Sequence, residues 1–238
     1  SKLDHLIVAV NDLDEAQSNY KKIFGIDPVW HGEHEELGTA NVIFNFKNTY
    51  FELLSSKGSG LGADLVNSSI SKNGEGLIGL VLGVEDIEAT KKFLTDKGFS
   101  VTEPSEGVGK SSKNNEIRKW NNIFLPPELT RGIFSFIIQH THGNLNEINK
   151  YEEASINKLD HVVINTNDAD GFIDIYKNTF NIRLALDKVI EHWQTRILFF
   201  RLNKTTIEVV EQNHKEPEPD KLWGLAWNVD SIKSAHAR

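Results

Sequence analysis

Two histidine–glutamate pairs have the residue types and spacing best suited to chemistry in this chain. Glu52 follows His5 by 47 residues, and Glu208 follows His161 by the same 47. Each glutamate lies in an apolar run, where a carboxylate is costly to bury unless it is paired or binds a cation. Imidazole and carboxylate suit divalent Zn, Fe, Mn, Ni or Co. The pairs are therefore either metal ligands or charges on a solvated strand face, and their recurrence favours metal ligands.

Both pairs belong to a longer internal repeat. Residues 2–52 and 158–208 align without gaps, and sixteen of the 51 aligned positions are identical. A shorter similarity relates 78–87 to 223–232. Self-similarity at fixed spacing indicates duplication. We therefore expect two related halves, each built from two related units.

Each unit is expected to contain a strand, a helix and three further strands. In the first unit, a β-rich run over 2–10 precedes Asp12, a suitable N-cap. Gly25 is suited to end a helix, so we expect a helix over 13–24. The three strands that follow are expected over 27–35, 39–47 and 49–56.

The second unit is expected to repeat this order, with a strand, a helix and a last strand over 76–84, 86–97 and 132–140. Its middle, 104–119, is rich in Gly, Ser, Lys and Asn and is expected to be a loop. A charged run over 214–220 is expected to be a linker. We divide the chain into a first domain over 1–150 and a second over 151–238. The second domain holds one unit and only the start of another, so we expect the natural protein to be longer.

Period-two alternation predicts which way the side chains of the opening strand point. Leu6 and Val8 would pack against helices, whereas Leu3 and His5 would line a concave face. Asp4 would then point away from His5, and the equivalent aspartate of the second domain would point away from its own histidine. Neither aspartate is expected to be the hydrogen-bond partner of the histidine that follows it.

The composition argues against several function classes. The chain has 34 acidic and 26 basic residues and a net charge of −8, which argues against a nucleic-acid or anionic-membrane surface. No apolar run approaches the ~18 residues of a membrane helix. The absence of cysteine excludes disulfides and thiolate metal sites. We expect a cytoplasmic protein with a small-molecule substrate and neither a nucleic-acid nor a membrane partner.

The segments "LDHLIVAVNDLDEAQSNY" and "GTANVIFNFKNTYFELL" resemble the glyoxalase-like group of the vicinal oxygen chelate superfamily, which includes glyoxalases, bleomycin-resistance proteins and extradiol dioxygenases. The resemblance implies an α+β fold of repeated βαβββ modules, three complete and a fourth partial. These would form cupped mixed sheets with helices on the outer face. In that superfamily, metal ligands come from the first and last strands of a module. The matching positions here are His5, Glu52, His161 and Glu208.

The resemblance implies a metal-dependent enzyme of the glyoxalase or dioxygenase type, a lyase, isomerase or dioxygenase. It would act on a small oxygenated metabolite by chelating two adjacent oxygens. Glu52 and Glu208 would be the catalytic groups that move a proton. The candidates for substrate binding are Asn41, His34 and His140.

The alternative is a metal-free small-molecule-binding protein of the resistance or sequestration type. Gly79 and Gly224 hold the ligand positions of the second and fourth units, which favours this alternative. A complete set of two histidines and two glutamates would require the first and third units to face each other. They would do so within the chain or across a homodimer.

Overall fold

The structure is a computed structural model that describes residues 1–212 and 218–238. Most of the segment 214–220, predicted to be a linker, therefore lies outside the described residues. The strands are β1 (Lys2–Ala9), β2 (Trp30–His34), β3 (Thr39–Asn45), β4 (Tyr50–Ser56), β5 (Gly76–Gly83), β6 (Ser105–Ser111), β7 (Ile117–Phe124), β8 (Phe136–His142), β9 (Ile156–Thr166), β10 (Arg183–Ile190), β11 (Thr195–Leu202), β12 (Thr205–Glu211) and β13 (Lys221–Val229). The helices are α1 (Leu13–Phe24), α2 (Leu61–Asn73), α3 (Ile87–Asp96), α4 (Pro127–Thr130), α5 (Ala169–Ile173) and α6 (Ile232–Ala237).

The first eight strands close into a barrel in the order β1-β4-β3-β2-β6-β7-β8-β5. The first unit supplies β1 to β4, and the second supplies β5 to β8. Strand β1 joins them, because it pairs in parallel with β4 and antiparallel with β5. The first and second units therefore surround one common interior.

The remaining strands form a second, open sheet in the order β10-β11-β12-β9-β13. Strand β9 repeats the pairing of β1, parallel to β12 and antiparallel to β13. Helix α5 continues into a π-helical turn over Asp174–Thr179.

The predicted α+β fold of cupped mixed sheets with helices outside is confirmed. Among the described residues, no helix combines the length and apolar character needed to cross a bilayer.

Helix α1 begins and ends where its sequence predicts. The Asp12 carboxylate accepts hydrogen bonds from the backbone N–H groups of Asp14 and Glu15, at 2.9 and 3.0 Å. Gly25 ends the helix with a φ of 67°, a conformation that glycine adopts without strain. The buried Phe24 fixes the helix to the sheet by edge-to-face contacts with Phe44, Phe46 and Phe51.

The barrel and the open sheet share one apolar core. Trp227 of β13 packs against aromatic rings of the first unit, with ring centroids 5.0 Å from Phe24 of α1 and 4.7 Å from Phe46. The Arg238 guanidinium donates to the carbonyl of Lys22 at 2.8 Å, at the end of α1. Helix α1 and the surface beside it thus connect the two sheets.

The predicted loop over 104–119 is wrong, because this segment forms β6 and the start of β7. Strand β6 pairs with β2 on one side and β7 on the other, which closes the barrel. The weak strand propensity of Gly and Ser is outweighed by this pairing and by side-chain packing. A Cβ at Gly107 would overlap the Trp120 indole, so the glycine makes room for the ring.

Helix α2 was not predicted from the sequence. It begins at Leu61, and the residue before it, Gly60, has no side chain that could cap the helix. Its buried face carries Ala63 and Val66, and Val66 packs against barrel-interior residues such as Ile7 and Leu54. The helix therefore covers part of the barrel interior.

Candidate active site

A cavity of about 530 Å³ occupies the barrel interior. Both units contribute to its walls, and α2 contributes Leu61 and Leu65. The apolar walls include the aromatic side chains of Trp120, Phe124, Phe134 and Phe136. The larger polar side chains that line it are His5, His34, Asn41, Tyr50, Glu52, Arg118 and Asn122.

His5 and Glu52 meet on the wall of this cavity. The His5 Nε2 lies 3.4 Å from the Glu52 Oε2. The two residues are 2% and 7% exposed, so both are withdrawn from bulk water. The parallel pairing of β1 with β4 sets the contact, since it places Glu52 opposite Ile7, two residues after His5.

His161 and Glu208 repeat this geometry elsewhere. Their Nε2 and Oε2 atoms are 3.2 Å apart, on β9 and β12 of the open sheet. Their side chains are more exposed, at 28% and 21%. The four predicted ligands therefore form two separate pairs. Within residues 1–212 and 218–238, no group of three or more histidines and carboxylates is arranged to hold a metal ion.

Asp4 is the hydrogen-bond partner of His5, contrary to the sequence-based expectation. The Asp4 Oδ1 lies 2.8 Å from the His5 Nδ1. The expectation fails because the pairing of β1 with β5 shifts register between Leu3 and His5. An extra residue in one strand breaks the alternation of side chains. Leu3 accordingly packs in the core on the helix side and not in the cavity.

The open sheet repeats this irregularity. The pairing of β9 with β13 skips Asp160, between Leu159 and His161. The Asp160 Oδ2 lies 2.9 Å from the His161 Nδ1. The aspartate–histidine contact is thus part of the duplicated backbone geometry.

His140 lies behind His5 and outside the set of residues that line the cavity. Its Nε2 is 3.0 Å from the Asp4 Oδ1, so Asp4 joins the two imidazoles. Burial alone would raise the pKa of the Asp4 carboxyl, but hydrogen bonds from His140 and His5 hold that pKa well below its usual value. Asp4 is therefore a carboxylate and can only accept, which makes the His5 Nδ1 a donor. The His5 Nε2 is left facing Glu52.

Asn41 orients the glutamate. The Trp30 Nε1–H donates to the Asn41 Oδ1 at 3.2 Å, which turns the amide nitrogen toward Glu52. That nitrogen donates to the Glu52 Oε1 at 2.6 Å. One oxygen of Glu52 is therefore held, and the other faces His5.

His34 lies beside Asn41 on the cavity wall. Its Nδ1 is 2.9 Å from the Thr39 hydroxyl, and its Nε2 is 3.4 Å from the Asn41 Nδ2. Burial lowers the pKa of His34, which favours the neutral ring. His34 and Asn41, both predicted to bind substrate, thus line the cavity, whereas His140 does not.

Two cavity residues on β7, Arg118 and Asn122, were missed in the sequence. Arg118, Trp120 and Asn122 alternate along the strand, so they share one face. Their partners on β6 include glycines, with Gly107 opposite Trp120 and Gly109 opposite Arg118. A run of large side chains facing a Gly-x-Gly strand was the available signal, and it was hidden because 104–119 was interpreted as a loop.

Tyr50 was also missed. Its ring stacks on the His5 imidazole, with centroids 4.4 Å apart and planes 10° from parallel. Burial raises the pKa of the Tyr50 hydroxyl well above its usual value, and the Asp4 charge adds to the effect. Tyr50 is therefore a neutral ring that holds His5 in place.

The spacing of the His5 and Glu52 donor atoms would allow one cation to contact both. Two ligands ~2.1 Å from one tetrahedral ion lie roughly 3.4 Å apart, which matches the separation of the His5 and Glu52 atoms. The second unit adds no ligand at Gly79, where a Cβ would meet Ile7 and Phe134 at 3.1 Å. The remaining coordination positions would belong to water or substrate.

Comparison with known proteins agrees with this architecture. The glyoxalase-like domain family matches residues 3–156, and the glyoxalase/bleomycin resistance protein/dioxygenase superfamily matches 158–238. A mitochondrial methylmalonyl-CoA epimerase of Dictyostelium discoideum is 29% identical over 136 residues, which cover 56% of this chain and 74% of that protein.

A solved structure with the same fold covers most of this chain. A hypothetical protein from Staphylococcus aureus superposes with a TM-score of 0.70 at 16% identity, covering 92% of this chain and 88% of that one. A Streptomyces coelicolor methylmalonyl-CoA epimerase has a TM-score of 0.46 at 24% identity and covers 60% of this chain and 99% of its own. On the match over residues 3–156, the chain belongs to the glyoxalase-like domain family of the vicinal oxygen chelate superfamily.

Proposed function

We propose that this protein is a glyoxalase- or epimerase-type enzyme that moves a proton on a small oxygenated metabolite inside the barrel. The observation that carries the proposal is the approach of the His5 Nε2 to the Glu52 Oε2, 3.4 Å apart on the cavity wall. Family membership supports the reaction class. The relative named as an epimerase supports proton transfer in particular.

His5 and Glu52 would hold a divalent cation. The orientation of His5 supports this role, because metal-binding histidines commonly donate their second N–H to a carboxylate, as the His5 Nδ1 does to Asp4. The cation would polarise a substrate carbonyl and stabilise the negative charge that develops on its oxygen.

Glu52 would be the group that accepts the proton. Asn41 holds its Oε1, so the Oε2 would use one lone pair to hold the cation and the other to accept the proton. The carboxylate lies in a cavity with largely apolar walls, where it is shielded from water. A base held in this way contributes typically ~10²- to 10⁴-fold to a rate.

The pair His161 and Glu208 is a second candidate metal site of the same geometry. It lies on the open sheet and is more exposed, so we assign the reaction to Glu52 and not to Glu208. A homodimer that covered the open face would surround this pair, and sedimentation velocity would detect such a dimer.

The proposal is tested with protein purified without a histidine tag. Metal content is measured by mass spectrometry of wild type, His5→Ala and His161→Ala. Exchange of α-protons into deuterated water is followed by NMR for a panel of small 2-oxo acids, hydroxyketones and acyl-CoA thioesters. We expect metal loss in His5→Ala, and exchange that falls at least ~100-fold in Glu52→Gln.

Glu33→Gln is the control for the loss of a carboxylate. Glu33 lies on the barrel surface, in an ion pair with Lys57, and its replacement should leave exchange unchanged. Exchange at the wild-type rate in Glu52→Gln would refute the catalytic assignment. Wild type that carries no metal would refute the metal assignment.

A metal-free binding protein remains the second candidate. The observation that favours it is the second unit, which supplies Phe134 beside Gly79 where a ligand would be needed. In that case His5 and Glu52 would share a proton. Tight binding of a panel compound without metal and without exchange would support this candidate.

A further inference from the structure

Arg118 is a buried cation without a carboxylate partner. The residue is 6% exposed and lines the cavity. Its guanidinium carbon lies 5.5 Å from the ring centroids of both Trp30 and Tyr50. None of the ion pairs among the described residues involves Arg118, and its buried Nε has no hydrogen-bond partner. The positive charge therefore lies beside two aromatic rings and is hydrogen-bonded to the Tyr50 side chain, but no carboxylate among the described residues pairs with it.

Arg131, a partly buried arginine, is paired with two carboxylates. Its Nε donates to the Asp220 carboxylate at 2.6 Å, and its Nη1 lies 3.2 Å from the Asp168 carboxylate. A buried charge is costly unless it is paired and hydrogen-bonded. Arg118 is more deeply buried than Arg131 and has a hydrogen bond to Tyr50 but no carboxylate partner among the described residues. The missing carboxylate is thus expected to come from a ligand.

Asn122 supplies a second unpaired polar atom on the same wall. Its Oδ1 is buried and has no hydrogen-bond partner in the described chain. Asn122 lies four residues after Arg118 on β7, about 13 Å along the strand. Trp120 lies between them on the same face. The wall therefore offers an anion site, an aromatic surface and a hydrogen-bond acceptor in sequence.

We infer that the cavity binds a carboxylic acid whose carboxylate pairs with Arg118 and whose apolar body lies along Trp120. A hydroxyl or N–H group at the far end of the ligand would donate to the Asn122 Oδ1. Arginine suits the carboxylate end, since its planar fork donates two parallel hydrogen bonds to a carboxylate. The inference rests on the proposed function, because it names the substrate class of that same cavity.

The experiment compares an acid with its neutral analogue. Binding of 3-phenylpropanoate and of 3-phenylpropanamide to the whole protein is measured by isothermal titration calorimetry at pH 7. The two probes have the same size and aromatic ring and differ in charge. We expect the acid to bind roughly 10- to 100-fold more tightly, as a charge-assisted hydrogen bond would give. Equal affinity for acid and amide in wild type overturns the inference, as does the absence of acid binding.

Arg118→Gln identifies the residue responsible. The preference for acid over amide should disappear in this variant and persist in Arg183→Gln, which removes an exposed arginine on β10. A preference that survives in Arg118→Gln overturns the inference. If Arg118 only braces the two rings, its variant loses thermal stability and the wild type shows no acid preference. The wild-type comparison thus decides the question even if the variant fails to fold.

The same titration separates this inference from the proposed function. Acid binding is repeated on Glu52→Gln and on wild type treated with EDTA. An acid preference that persists in both, without any proton exchange in wild type, would refute proton transfer and leave the carboxylate site intact. Proton exchange without an acid preference would support proton transfer and refute the carboxylate site.

Discussion

The Nδ1 of His5 lies 2.8 Å from the carboxylate of Asp4, the residue directly before it. The contact fixes which ring nitrogen carries a proton and which one faces Glu52. Adjacent residues of a regular strand point to opposite faces, so the contact depends on the irregularity of β1. Asp4 is therefore a positioning residue for His5.

We expect Asp4→Asn to weaken the site without removing any cavity side chain. An amide at this position no longer enforces donation by the His5 Nδ1. Loss of such a partner typically costs ~10- to 100-fold in metal affinity or activity. Metal titration and the exchange assay measure the effect. Asp160→Asn, the equivalent change in the open sheet, should leave exchange in the barrel unaltered, and an equal loss in both variants would contradict the positioning role.

Acid should destabilise the wild type more steeply than Asp4→Asn. Hydrogen bonds hold the pKa of Asp4 below its ordinary value near 3.8, so the carboxylate stabilises the fold above that pH. Below about pH 4 the unfolded chain takes up a proton that the folded chain does not, and this stabilisation is lost as the pH falls. The difference between the two proteins in unfolding free energy should shrink by up to about 1.4 kcal/mol per pH unit. Urea unfolding between pH 5 and 2.5 tests this, and parallel curves would contradict it.

Trp227→Ala should destabilise the whole protein. The ring fills the junction between Phe24, Phe46 and Phe51, and its removal is expected to cost about 2–4 kcal/mol. Trp223 lies on the same strand but is 72% exposed, so Trp223→Ala should change stability by no more than ~0.5 kcal/mol. Chemical denaturation measures both. Similar losses in the two variants would argue against a shared core.

Gly107→Ala should destabilise the barrel and disturb the cavity. The new methyl group would overlap the Trp120 indole, and such overpacking typically costs about 1–3 kcal/mol. Gly224 is the matched control, because it is also a strand glycine and has open space at its Cβ position. Gly224→Ala should be neutral or slightly stabilising. Thermal unfolding and Trp fluorescence distinguish the two, and a neutral Gly107→Ala would contradict the packing argument.

Much of the fold could be predicted because its signals are local. The caps Asp12 and Gly25 delimit α1, and the repeat with its 47-residue spacing identifies two equivalent strand pairs. The prediction failed where distant contacts decide the structure. Ser105–Ser111 is a strand because β2 and β7 pair with it on either side, and neither partner is evident from its own composition.

The candidate site was predicted in part for the same reason. The alternation of side chains correctly predicted that His5 faces the cavity. The extra residue at Asp4 gives Leu3 the opposite orientation from the one expected. A register shift depends on how two strands meet, which a single strand does not reveal. Arg118 was missed because it is charged, and burial of a charge is not visible from residue type.

The more exposed pair His161 and Glu208 can serve as an internal control for the enclosed pair His5 and Glu52. The Asp–His–Glu arrangement recurs at Asp160, His161 and Glu208 on the more exposed open sheet, so the duplicated strand pairing is enough to create it. Any difference between the two copies in metal affinity or reactivity then measures what enclosure adds together with Asn41 and Tyr50, whose equivalents in the open sheet are Ile197 and Thr206. The duplicated unit thus holds an aspartate, a histidine and a glutamate at fixed distances from one another. In the first copy, the strands of the second unit complete a barrel around the histidine and the glutamate.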